Sequence, residues 1–185
     1  MANESKSAVT WYRSSLLGAL KVHIFFIAVY TLYVILSQVW NVITEEAGLW
    51  RWVALSGLAT ALIIVWLLSR SPKKGASYYK TLLHVIILAD VAFASFNVFS
   101  QRGMASRAVA LYALPIIIAA SLLRLKWLVV TTLLCALSYI FSAWWYFHTH
   151  FNEGYKAELI FEVGFYSLFF AILGALLWKL IRPKT

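Results

Sequence analysis

Charge, and acid above all, is what this chain has least of. Seven Asp and Glu stand among 185 residues, and charged side chains of both signs make up 12%. Cysteine is nearly absent: Cys135 is alone in an apolar run, so no disulfide can close within the chain. Three prolines and eight glycines form no Gly/Ser or Pro linker that would divide the chain into domains. Sequence signatures of several chemistries are missing too. There is no phosphate-cradling Gly loop, no G-x-S-x-G elbow, no Cys/His metal framework and no pair of acids on one apolar helix. The last apolar segment has no lysine near its centre, since Lys179 lies at its end, which argues against a retinal Schiff base. No face assembles an acid, a base and a positioning group, so the reading is of a non-enzymatic protein without a cofactor.

What is abundant is oil. Hydrophobic residues make up 63% of the chain, with nine Trp, ten Tyr and twelve Phe, against roughly 45–50% apolar content in soluble domains. The solvent implied is a bilayer. A net charge of +9 would suggest nucleic acid in a soluble protein. Here the basic residues sit in short loops, where they have a topological meaning, and nucleic acid is set aside.

Six segments approach the roughly 20 apolar residues that a spanning helix needs: 16–40, 50–68, 81–99, 108–123, 127–147 and 159–181. The expectation is an all-α polytopic membrane protein, a single domain of six helices with antiparallel neighbours. Twelve Lys and Arg fall on the side holding the termini and the second and fourth loops, while Arg51, Arg102, Arg107 and Lys156 are the four on the other. That bias predicts both termini in the cytoplasm. The polar start of the chain lacks an A-x-A-like cleavage site, so the first helix is expected to stay. Trp11, Trp40, Trp50, Trp52, Trp127, Trp144, Trp145 and Trp178 fall near the expected helix ends, as interfacial anchors do. Pro115, near the middle of the short fourth segment, predicts a kink or local unwinding. No second Pro-interrupted segment matches it, which argues against an inverted-repeat transporter.

One acid breaks the third segment, KTLLHVIILADVAFASFNVF: Asp90. Ten residues after Lys80 it lies about 15 Å deep, near the bilayer midplane. Ionised there it costs about 2.5–3.5 kcal/mol, so it should face protein or water, be paired or be protonated. Ala94 and Asn97 share its helix face. His84 does not, and both His84 and His23 read as structural histidines bonded to a neighbouring helix. In the fifth segment Thr131, Cys135, Ser138 and Ser142 form a seam of small side chains, for packing or for a polar cavity wall. Farther on, HTHFNEGYKAELIFE gathers His148, His150, Glu158 and Glu162, a weaker candidate for a transition-metal or proton site.

A further pattern runs from Tyr78 to about Trp145. Lys80 opens the third helix, Asp90 sits in its middle, and the loop SQRGMAS carries Gly103 and Ser106. LYALPIIIAASLL follows with Leu111, Tyr112, Leu114 and Pro115, then a short basic loop and an aliphatic helix to Tyr139. This stretch, a little over a third of the chain, resembles the six-helix membrane input region of bacterial sensor histidine kinases, without the kinase. The resemblance implies a signal-receiving bundle in the cell inner (cytoplasmic) membrane, whose last helix passes a displacement or rotation to a cytoplasmic dimer. Its partners would be the lipid bilayer and a protein, either a kinase or other output subunit or a second copy in a homodimer.

The expectation is thus a sensor or accessory module with a polar interior site at Asp90, Ala94, Asn97, Tyr112, Pro115 and Ser138. The alternative is a small transporter or channel component with Asp90 as its proton or cation site. A structural subunit of a membrane complex is a third possibility.

Overall fold

The computed structural model describes residues 2–71, 74–101, 106–122, 124–150 and 157–181, with side chains from residue 7 onward and, in the last stretch, over 160–180. Gly103 and its turn lie outside the described residues. Among them the regular structure is helical: α1 (Ala2–Val39), α2 (Glu45–Ser69), α3 (Ala76–Ser100), α4 (Ala113–Ala120), α5 (Leu125–Thr149) and α6 (Ala157–Ile181). A 3₁₀ segment, Arg107–Tyr112, leads into α4.

Five helices are long and apolar enough to cross a membrane: α1 over Ser7–Val39, α2, α3, α5, and α6 over Ile160–Leu180. Their outward faces are built for hydrocarbon. On α1, Val22, Phe25, Val29 and Leu32 are exposed, and on α6 so are Phe161, Phe165, Leu168 and Ile172. Apolar surface of that extent is not sustained in water. The chain is therefore a multi-pass membrane protein in contact with lipid.

The fourth expected span differs. Arg107–Ala120 is apolar but shorter than the rest, and six 3₁₀ residues plus eight α residues rise only about 24 Å. The reason lies in Pro115, which has no N–H for the Leu111 carbonyl and crowds the preceding turn. The chain before it winds as 3₁₀, and Pro115 becomes the third residue of α4, where a missing N–H is harmless. The expected irregularity appears as a change of winding.

The chain divides into two compact units, Met1–Ala89 and Asp90–Thr185, with the boundary inside α3. In the first, α1 and α2 form a hairpin. The buried positions of α2 are Gly48, Arg51, Leu55, Leu58, Leu62, Val65 and Ser69, alternating steps of three and four residues. Leu16, Leu20, His23, Tyr30, Val34 and Ser37 make the matching stripe on α1. This is the heptad pattern of a left-handed antiparallel pair. Its register is pinned near the loop: the Trp52 indole N–H donates to Gln38 Oε1 (3.1 Å), and Arg51 Nη1 donates to the Tyr33 hydroxyl (3.2 Å). The reversal is tight because Asn41 takes a left-handed conformation (φ 53°). The Val42 N–H then bonds the Ser37 carbonyl and the Asn41 N–H that of Gln38, a Schellman closure. Thr44 next caps α2 by accepting from the Ala47 N–H (3.2 Å).

In the second unit α4 lies against α5 and α6, and α5 lies against α6. The inward face of α5 carries Leu128, Thr131, Cys135, Tyr139, Ser142 and Tyr146. Gly174 lets α6 approach α5 closely, since a Cβ there would stand 2.8 Å from Thr132 Oγ1. The helices differ in how much protein surrounds them: 56% of the apolar window of α3 is buried, against 11% for α6. The polar candidates of the third segment thus ride on the most enclosed of the five long helices.

Candidate functional site

Asp90, Ala94 and Asn97 all fall on the inward side of α3, with 2%, 0% and 0% of their surfaces exposed. The helical spacing that groups them in the sequence therefore also buries them together. Asp90 lies within electrostatic reach of Cys135 on α5. Asn97 does more than fill space. Its side-chain N–H donates to the Phe93 carbonyl (2.8 Å), while its oxygen accepts from Gln101 Nε2 (3.2 Å). Gln101 Oε1 accepts in turn from the Ser106 hydroxyl (3.5 Å), whose oxygen caps the 3₁₀ segment through the Ala108 N–H (3.1 Å). One polar chain thus ties the interior of α3 to the start of the 3₁₀ segment.

The end of that segment carries the second tie. Tyr112 is fully buried, and its hydroxyl meets the Ser95 hydroxyl of α3 at 2.8 Å. Ser95 also donates to the Val91 carbonyl (2.7 Å), so at this contact Tyr112 is the donor. The same phenol oxygen is within polar reach of Ser142 of α5. The Tyr112 ring stands edge-on to Tyr139 of α5 at 6.2 Å and tilted against Phe170 of α6 at 5.6 Å. Tyr139 meets Phe170 as well, at 6.3 Å, and Tyr166 at 5.8 Å. A single side chain therefore touches α3, α5 and α6.

A groove of about 500 Å³ opens beside this hub, between α3 and α5. Ser95, Ser138 and Ser142 give it a polar floor, and Phe96, Phe99, Phe141 and Trp145 line its walls with Leu137. The seam of small residues on α5 is accordingly split. Thr131, Cys135 and Ser142 are buried and Ser138 is half-buried, and of the four Ser138 and Ser142 line the groove. Pro115 is buried in the first turn of α4, three residues beyond Tyr112, and sets the winding that presents the phenol. The floor consists of hydroxyl rotors, each able to donate or accept. A carbonyl or hydroxyl entering the groove can take over a bond now made between Tyr112 and a serine.

The other candidates are bound up locally. His23 Nδ1 lies 2.8 Å from the Ala19 carbonyl and His84 Nδ1 lies 2.7 Å from the Lys80 carbonyl, each one turn back on its own helix. These contacts lie within one helix, where the sequence suggested a bond to a neighbouring one. At the end of α5, His148 stacks on Trp144 at 5.3 Å, and His150 stacks on Tyr146 at 4.3 Å. Glu162 is exposed on α6, and the side chain of Glu158 lies outside the described residues. Among the described residues no group of three or more His, Cys, Asp or Glu could hold a metal.

The chain matches no family model, no curated protein and no solved structure. Two participants escaped the sequence reading, Ser95 and Gln101, while Ser106 entered it only as part of the SQRGMAS loop. Gln101 stands one turn past Asn97, a signal available from the spacing alone. A signal was available for Ser95, one turn past Val91 on an otherwise apolar helix, where a hydroxyl bonds back to the backbone or across to another helix.

Proposed function

We propose that this chain is a non-enzymatic sensor or accessory module of a bacterial inner membrane. It has six membrane helices and both termini in the cytoplasm, and it relays a signal from the interior of the bundle to a protein partner. The Arg107–Ala120 segment serves as the short fourth span. The observation that carries the reading is the Tyr112 hydroxyl, bonded to Ser95 of α3 and within polar reach of Ser142 of α5, the two serines that line an open groove. A ligand that takes over that bond, or a proton on Asp90, works by favouring one packing of α3, α5 and α6 over another. The displacement leaves through α6, which has the least protein contact to give up. The resemblance to kinase input regions supports the direction of relay, and the twelve-to-four basic bias supports the orientation.

The test measures distances between spin labels at Leu125→Cys and Leu180→Cys, both exposed positions, in a Cys135→Ser chain reconstituted in lipid. With the proton as the probe, two distance populations should exchange weight between pH 5 and 8. Asp90→Asn should hold one of them at every pH, and Tyr112→Phe should broaden the distribution. A single distance that ignores pH and both substitutions would refute the proposal. Proton or cation flux into proteoliposomes that disappears in Asp90→Asn would replace it with a transport role.

A further inference from the structure

A second hollow lies in the other unit, along α1. It measures about 430 Å³, and its walls include Thr10, Arg13, Ser14, Leu17, Gly18 and Lys21. These residues form two neighbouring rows one turn apart: the long side chains of Arg13, Leu17 and Lys21, and the small ones of Thr10, Ser14 and Gly18. The contrast in length makes the trough. A Cβ on Gly18 would meet nothing within 4 Å, so the space above it is open. Arg13 and Lys21 are both exposed, and among the described residues neither has a hydrogen-bond or ion-pair partner.

The depth of the hollow identifies its surroundings. The apolar helix Ser7–Val39 has 33 residues, more than the roughly 20 that cross the hydrocarbon. Counting back from Val39, the hydrocarbon edge falls near Leu20. Arg13, Ser14 and Leu17 then stand at headgroup level, with Lys21 just inside. Side chains of a helix lean toward its N-terminus, and a lysine at this depth snorkels to the surface. The Lys21 ammonium is thereby brought up toward Arg13, about 12 Å away along the axis at the backbone.

We propose that this hollow binds one anionic phospholipid. Its phosphate sits between Arg13 and Lys21 beside the Ser14 hydroxyl, and the start of its acyl chain runs over Gly18 against Leu17. Charge decides the occupant. A second copy seated in parallel would bring Arg13 and Lys21 against the same two cations, and a zwitterionic lipid adds a positive group to a site that already has two. The site lies in the unit that does not hold the Tyr112 groove, so it stands or falls separately from the sensing role.

Native mass spectrometry of the full chain, released from micelles doped with lipid, tests it. Phosphatidylglycerol should be retained as a single adduct at least fivefold more strongly than phosphatidylcholine. A cation near an anionic headgroup is worth about a factor of five, so Arg13→Gln or Lys21→Gln should each weaken retention about fivefold, and the pair about 30-fold. Lys21→Arg, which keeps the charge, should retain the lipid. Gly18→Leu alters no charge and enters open space, and it should weaken retention as much as losing one cation does. Equal retention of the two lipids, matching retention of inorganic phosphate alone, a chain dimer in place of the adduct, or indifference to Gly18→Leu would overturn the proposal.

Discussion

Replacing Tyr112 with Phe removes one oxygen from a residue with no exposed surface and leaves its ring between Tyr139 and Phe170. One interhelical hydrogen bond, to Ser95, disappears together with the polar contact to Ser142. Bonds of this kind inside membranes average about 0.6 kcal/mol and reach about 1.7. Ser95 keeps the Val91 carbonyl as its partner, so no serine hydroxyl is stranded there and the sum stays near the low end. The expected loss is about 1–2 kcal/mol. Tyr112→Ala also empties the space between three helices, and its loss should be about 3–5 kcal/mol. Far-UV circular dichroism during titration with SDS from lipid-detergent mixed micelles gives both numbers. A double-mutant cycle with Ser95→Ala isolates the α3 contact, with an expected coupling of about 0.6 kcal/mol. If Tyr112→Phe stays within about 0.3 kcal/mol of the parent chain, or the coupling vanishes, the hydroxyl does not tie the helices and the switching argument collapses with it.

Two further substitutions probe the packing. Gly174→Ala pushes a methyl to within 2.8 Å of Thr132 Oγ1 and should destabilise by about 1–3 kcal/mol despite its better helix propensity. Adding Thr132→Ala should restore most of the loss in the same titration; failure to rescue would mean the two helices are not in contact there. Arg51 is 7% exposed, with its Nε buried and lacking an acceptor. Arg51→Met should therefore be neutral or stabilising, whereas Tyr33→Phe, which removes the acceptor of Nη1, should destabilise by about 1–3 kcal/mol. Equal effects of the two on thermal unfolding would contradict the assignment of Arg51 as an under-satisfied buried cation.

The helices were legible in the sequence to within a few residues, except where two local rules intervened. The first helix runs back to Ala2 rather than beginning near Leu16, because the polar start of the chain contains nothing that breaks a helix. The fourth segment falls short because its proline changes the winding and not only the direction. Which helix faces point inward was legible where a polar residue marked them, at Asp90 and Asn97. It was not legible on α1 and α2, because lipid-facing Val22, Phe25 and Val29 are as apolar as the inward-facing Leu16, Leu20 and Val34. Amphipathic contrast disappears when the solvent is itself oil. The hub at Tyr112 was half visible: the residue stood in the L-Y-x-L-P stretch, but its partners lie 17 and 30 positions away in sequence and no periodicity connects them.

The low burial of α6 bears on how the fold spends its cohesion. For most of its length lipid solvates α6 as well as protein does, so no hydrophobic force holds it to the bundle. What fixes its place is shape: the Phe170 ring between Tyr112 and Tyr139, and the absent side chain at Gly174 beside Thr132. A helix anchored by these fittings and by the Tyr166 ring on Tyr139 can slide or roll against its neighbours while its contact with the surrounding hydrocarbon stays nearly constant. The energy that sets its position is then concentrated in a few atoms near the bundle centre, within reach of a single small molecule.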